Sequence, residues 1–316
     1  MNNTIKILSY NIRYHNPADG EQSWPHRKAQ VAALFQRYAP DLIGLQEVIR
    51  GQLDDVAGAL TDFAWVGVGR DDGRTRGEYA PIFYRRARFD LLQSDTFWLA
   101  ETPHQPGSFG WDAACVRIAT WARLRDKATG ATLMMLNTHF DHRGEQAQVE
   151  SARLLRTFLN EPAQAVPAII TGDFNCTAQS WGYQLLTQPT ETTGLPLADA
   201  MWQSQTPHRG PVATFTTGFA DPLRRRSILS LSGQPRQMHP FPPYKFCTTL
   251  FSTTRPMATI RRIICRSWRR SLFDIHPLEH LAASSRLPER CLVQRLPVAV
   301  PRRAWVASQR AVCTRG

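Results

Sequence analysis

Four stretches of the chain share one pattern: a short apolar run that stops on a polar side chain. Val166 to Thr171 runs into Gly172, Asp173, Phe174 and Asn175. Ile5, Ile7 and Leu8 run into Ser9, Tyr10 and Asn11; Leu42, Ile43 and Leu45 into Gln46 and Glu47; Leu133 to Leu136 into Asn137, Thr138 and His139. Short β-rich runs that end on turn residues read as buried strands surfacing at their C-terminal ends. Gly172 permits a tight turn, after which Asp173 and Asn175 face one side and Phe174 turns back inside. If these strands lie side by side, Asn11, Glu47, His139, Asp173 and Asn175 gather on one rim.

The remaining pattern fills in a scaffold. A polar loop from His15 to Ser23 precedes a helix starting near Pro25, with Ser23 as its predicted cap and Val31, Leu34 and Phe35 inward; it ends before Pro40. A second helix spans about Gly51 to Leu60, with Leu53, Val56 and Leu60 inward. From Phe63 the chain becomes strand-rich: Ala64 to Val68, a Gly/Asp/Arg loop over 69–77, Pro81 to Tyr84, and Phe89 to Trp98. Val116 to Asp126 and Ala131 to Asn137 read as a hairpin. Arg143 to Leu159 is an amphipathic helix, with Val149, Ala152, Leu155 and Phe158 on its buried face and Glu145, Gln148, Arg153 and Arg156 outside. Strand-length and helix-length segments thus mix through the first 220 residues, which predicts an α/β (α+β) class with two sheets.

The rim residues suggest chemistry. Oxygen ligands that include a carboxylate suit a hard cation such as Mg²⁺, and a neighbouring histidine suits proton transfer. Each also has a plain structural alternative: a backbone hydrogen bond for Asn11, a satisfied core position for His139, a surface acid for Glu47, ordinary turn formers for Asp173 and Asn175. Arg74, Arg76, Glu78 and Tyr79 leave the charged loop where they could border a phosphate pocket or form a solvated surface. Arg117 could approach a phosphate or pair with a local acid.

Charge changes the picture only at the end of the chain. The net charge is +12, but of 38 Lys+Arg and 26 Asp+Glu, residues 221–316 hold 18 and 4, leaving 20 and 22 for residues 1–220. The front therefore offers no broad cationic groove for duplex DNA. Of the 18 cations in the last third, 17 are Arg, an odd choice for a solvated surface. Six scattered cysteines without a CxxC pair suggest neither a zinc site nor a disulfide framework. No apolar run approaches the roughly 18 residues of a membrane span, and the first ten residues lack the pattern of a signal peptide, so a cytoplasmic location is expected.

SYNIRY (9–14), GLQEV (44–48), GEYAPIFYR (77–85), NTHFDHRGE (137–145) and TGDFN (171–175), in this order and at these separations, resemble the endonuclease/exonuclease/phosphatase superfamily, the group with the deoxyribonuclease I-like fold. The likeness covers residues 4 to about 219 and is closest to bacterial members. It implies a four-layer α/β/β/α sandwich with the site at one end of two packed sheets. It also implies Mg²⁺, with Mn²⁺ as the alternative. Glu47 matches the metal-binding carboxylate and Asn11 the amide that helps hold the metal. Asp173 matches the group that orients or deprotonates the attacking water, Asn175 a phosphate contact, and His139 a catalytic histidine beside the phosphate. Tyr79 and Arg117 are candidate substrate contacts, while Asp141 and His142 are expected to order their loop. The implied partner is a phosphoester: nucleic acid, nucleotide, inositol phosphate or phospholipid headgroup, handled by a monomer.

The likeness stops after TFTTGF (214–219). Family members continue with a strand reading R-I-D-Y-I-F and end near Y-P-S-D-H-L-P-V, supplying a further Asp and an Asp-His pair. Neither is present; Arg- and Pro-rich sequence follows instead. Reading each codon from its third base onward, however, lets Arg226 to Leu231 encode I-D-S-I-F-V and Thr259 to Arg270 encode Y-P-S-D-H-L-P-V-V-A-E-V. A one-base frameshift between about Phe219 and Arg226 accounts for both. The expected organisation is thus a truncated catalytic domain over 4–219 and an irregular basic tail over 220–316. The expected function is a metal-dependent phosphoester hydrolase impaired by its tail, with an inactive product or a nucleic-acid-binding protein using that tail as the alternatives.

Overall fold

The computed structural model describes residues 4–161, 166–188, 197–204, 250–252 and 263–265. Two sheets form its centre. The first has the order β11-β1-β2-β4-β3, built from Ile263–Cys265 (β11), Ile7–Asn11 (β1), Leu42–Gln46 (β2), Ile82–Arg85 (β4) and Phe63–Val66 (β3). The second has the order β5-β6-β7-β8-β10-β9, built from Phe89–Trp98 (β5), Ile118–Asp126 (β6), Thr132–His139 (β7), Ala168–Asp173 (β8), Leu250–Ser252 (β10) and Ala198–Asp199 (β9). Helices α1 (Trp24–Tyr38) and α2 (Arg50–Ala59) follow β1 and β2, while α3 (Glu145–Asn160) and α4 (Trp181–Thr187) flank β8 in sequence. A last short helix, α5, covers Ala200–Gln203.

Alternation along each strand sorts side chains between layers. Leu8, Tyr10, Ile43 and Leu45 face outward, onto Trp24, Val31, Phe35, Leu53 and Val56 of α1 and α2. Met134, Leu136, Ala168 and Ile170 pack on Ala152 and Leu155 of α3. Ile7, Leu42, Leu133, Met135 and Ile169 fill the gap between the sheets. The result is the four-layer α/β/β/α sandwich. β1 and β2 run parallel, as do β7 and β8, so both pairs end at the same edge of their sheets.

Two expectations about helices need correction. Ser23 occupies the cap position of α1, but its side chain makes no capping hydrogen bond. Arg156, placed outside by periodicity, is 1% exposed and donates to the Leu186 carbonyl at 3.0 Å. The reason is α4, which packs across the flank of α3 and covers a position that would otherwise meet water. Burial lowers the pKa of this guanidinium.

The two strand pairs that carry the rim also differ from a simple side-by-side row. β1 and β2 belong to one sheet and β7 and β8 to the other, so the rim spans the mouth of the sandwich. At its foot Arg88 joins the sheets. Its guanidinium donates to Thr4 O at 2.6 Å and to Asp41 at 2.9 Å on the first, and to Asp126 at 3.3 Å on the second. From the last third, β11 pairs parallel with β1 and β10 antiparallel with β8, two short strands that sequence reading did not foresee. The rest of the expected basic tail, including every arginine in it, lies outside the described residues.

Candidate active site

At the end of β1, Asn11 turns its amide into the mouth. Nδ2 donates to Glu47 Oε1 at 2.8 Å and to Asp173 Oδ2 at 3.0 Å, thereby joining carboxylates from opposite sheets. Its Oδ1 is taken by the Arg13 backbone N–H at 3.0 Å, which fixes which end of the amide faces the acids. Asn11 therefore holds the carboxylates through its nitrogen. Glu47 follows β2 with φ 57°, a left-handed backbone that turns its side chain back over the strand end. Its Oε2 accepts the Tyr14 N–H at 3.2 Å and lies 3.7 Å from the Arg13 guanidinium.

Asp173 and His139 are register partners on β8 and β7. Phe174 turns inward onto Phe140, and Asn175, at φ 49°, closes the turn with its N–H on Asp173 Oδ1 at 3.0 Å. The Asn175 amide nitrogen meets both the Phe140 carbonyl and His139 Nε2 at 2.9 Å. One of its hydrogens is committed to the carbonyl, so the other is donated to Nε2. His139 then carries its proton on Nδ1, the nitrogen 4.0 Å from Glu78 Oε2. Nε2 lies 4.0 Å from Asp173 Oδ2. The structure thus brings Asn11, Glu47, His139, Asp173 and Asn175 to one place.

Glu78, for which the sequence left open a phosphate-pocket border or a solvated loop, stands beside the rim. Its carboxylate accepts from Arg70 at 2.7 Å and stands 4.0 Å from Arg117 as well as from His139. Burial raises its pKa, and Arg70 and Arg117 pull it back. The fold supplies the reason: Tyr79 bridges to Val48 and enters the core beneath α2, so alternation sends Glu78 to the cleft side. Tyr79 itself is 2% exposed, with its hydroxyl on the Arg74 carbonyl at 3.1 Å, and so holds the loop. Arg74 and Arg76 lie on the exposed outside of that loop, where Asp72 Oδ1 gathers the N–H groups of 74, 75 and 76. Arg117 is 5% exposed and borders a small recess with Arg70, Glu78 and His139.

Cys115, Asp141 and His142 also lie close together. Asp141 Oδ1 accepts the N–H groups of Arg143 and Gly144, both at 2.9 Å, and Oδ2 accepts that of Cys115 at 3.1 Å beside Arg117. His142 Nδ1 is 3.2 Å from Arg117. With its oxygens so engaged, Asp141 braces the loop, and these hydrogen bonds hold its pKa at about 2 against the cost of burial.

The rim holds two carboxylates close together. Glu47 and Asp173 face each other across one amide, and burial, reinforced by Glu47, raises the Asp173 pKa. Two carboxylates so placed are an oxygen donor set for a hard ion.

The model of the Endonuclease/Exonuclease/phosphatase family matches residues 8–230. Among solved structures, the endonuclease/exonuclease/phosphatase from Bacteroides vulgatus is 45% identical, covering 62% of this chain and 74% of that one with a TM-score of 0.60. A mannosyl-6-phosphatase of Bacteroides thetaiotaomicron is 31% identical, covering 78% of this chain and 85% of that one with a TM-score of 0.64. An uncharacterized mimivirus protein, R895, is 27% identical over a 214-residue alignment that covers 56% of this chain and 31% of that relative. The chain spans about a third of that curated relative's length.

Proposed function

The chain belongs to the endonuclease/exonuclease/phosphatase family, and from that premise we propose that it is built as a divalent-metal-dependent phosphoester hydrolase. The observation that carries the reading is the pair of carboxylates from opposite sheets held on the Asn11 amide. Glu47, with Asn11 beside it, would hold Mg²⁺ or Mn²⁺, and the ion would supply charge neutralisation at the phosphoryl oxygens and a more acidic water. Asp173, with its raised proton affinity, orients and deprotonates the attacking water. Asn175 gives its amide to a phosphoryl oxygen once released from His139, and Arg117 steadies the same group. His139 presents Nε2 to the reaction while Glu78 steadies the proton on Nδ1. Such acid–base groups contribute about 10²–10⁴-fold each.

The substrate is a phosphoester of a small molecule, nucleotide or nucleic acid; the likeness to a mannosyl-6-phosphatase favours including sugar phosphates in the first panel. The missing Asp and Asp-His motifs impair this particular chain, because catalytic groups that act as a unit do not substitute for one another. The test is Mg²⁺-dependent hydrolysis of phosphomonoester and phosphodiester panels by the 316-residue chain and by a protein with the reading frame restored between about residues 219 and 226. The restored protein is expected to be active and to lose at least about 100-fold as Glu47→Ala, with the present chain near that background. A restored protein that is inactive, or whose activity survives Glu47→Ala, contradicts the reading.

A further inference from the structure

Beneath the rim lies a second polar layer that the reaction as described does not use. Residues two apart on a strand share a face, so Ser9 lies below Asn11, Asn137 below His139 and Thr171 below Asp173. Gln46 closes β2 just before Glu47. All four are 0% exposed, in a gap otherwise filled by Ile7, Leu42, Met135 and Ile169.

Asn137 is the centre of this tier. Its Oδ1 accepts Gln46 Nε2 at 2.7 Å and Thr171 Oγ1 at 2.9 Å; its Nδ2 donates to the carbonyls of Leu45 at 2.7 Å and Pro81 at 3.1 Å. Gln46 Nε2 also reaches Ser9 Oγ at 3.4 Å. A single carboxamide, with both ends fully engaged, ties β7 and β8 of one sheet to β2 and the segment before β4 of the other. Gly44 makes room for it: a Cβ there would collide with Thr171 Oγ1 and Asn137 Oδ1.

Stability alone does not account for the tier. Gln46 Oε1 is buried without a partner among the described residues, a cost that an apolar filling would avoid. Apolar contacts hold sheets together but let them slide, whereas hydrogen bonds fix distance and direction. Reacting groups need placement to within roughly 0.5 Å. We infer that Asn137, Gln46 and Thr171 are positioning residues that set the spacing between the Asn11/Glu47 lip and the His139/Asp173 lip. For its catalytic meaning the inference rests on the hydrolase reading; for its geometry it stands alone.

Thr171→Val keeps shape and deletes the hydroxyl, while Thr171→Ser keeps the hydroxyl; Mn²⁺ affinity by electron paramagnetic resonance and metal-free backbone amide shifts are read on both in the full chain. Valine is expected to weaken Mn²⁺ binding by roughly five-fold, with serine close to wild type. Its amide shifts are expected to reach Asn11 and Glu47 on the opposite sheet, with the melting temperature little changed. Shifts confined to β7 and β8, or a serine variant as impaired as the valine, overturn the inference. A wild-type chain with no Mn²⁺ binding that depends on Glu47 counts against the hydrolase reading instead, and the amide shifts then decide this one.

Discussion

Asn11 gives both amide hydrogens to acids that would otherwise repel one another, yet two aspartates near the mouth are shifted in opposite directions. Asp173 has a raised pKa because burial outweighs its hydrogen bonds and Glu47 adds like charge. The folded state therefore holds that proton more tightly than the unfolded chain does. The penalty is absent in acid, begins as pH rises past the ordinary carboxylate value and is fully present once pH exceeds the raised folded-state value. Millimolar Mg²⁺ is accordingly expected to raise the melting temperature at pH 7 by a few degrees, on the order of 1–3 kcal/mol of linked binding, and to do so far less near pH 4. Asp173→Asn should raise the metal-free melting temperature and, in the frame-restored protein, remove hydrolysis; calorimetry and a turnover assay check the pair. Asp141 has the opposite sign. Its pKa of about 2 means its stabilisation is present above the ordinary value and lost as pH falls from about 4 to 2. With the side chain 1% exposed, Asp141→Asn should cost about 2 kcal/mol at neutral pH, at roughly 1.4 kcal/mol per pKa unit, as measured by denaturant unfolding. The five rim residues were legible in the sequence because each ends an apolar run. Glu78 was not, since its meaning depends on Tyr79 being buried beside it, and Asn137 and Thr171 read as ordinary strand positions until a second sheet faced them.

At the scale of elements, α3 shows why local grammar has limits. Its cap position is Gly144, which has no side chain to offer, and the first-turn N–H groups are met by Asp112 from a distant loop: Ala147 N at 2.6 Å and Gln146 N at 3.3 Å. Asp112→Ala is expected to destabilise by about 1 kcal/mol, the usual worth of a lost cap, and to speed amide exchange in the first turn of α3. No pattern within residues 143–160 announces that partner. The same holds for Arg156, whose burial is decided by α4. Strands β1 to β8, by contrast, followed from short β-rich runs bounded by turn residues, and β6 and β7 form the expected hairpin. Periodicity says which face is wet, but not which neighbour covers it.

For the whole molecule, no helix among the described residues is long and apolar enough to cross a membrane. The family motifs ended near residue 219, yet β10 and β11 extend the sheets to residue 265, with β11 beside the strand that carries Asn11. Residues 263–265 fall within the stretch whose shifted reading is Y-P-S-D-H-L-P-V, so restoring the frame would set the Asp-His pair next to β1. Sequencing the locus from an independent isolate is expected to return the restored frame; an unbroken copy of the present 221–316 sequence there would remove that explanation. Whatever follows the sheets, the mouth of the sandwich is governed from both ends, because Arg88 pins Thr4, Asp41 and Asp126 together at the foot. Removing that one guanidinium would leave acids on both leaves without it at once, so the damage from Arg88→Met would register on either side of the core and not in a single layer.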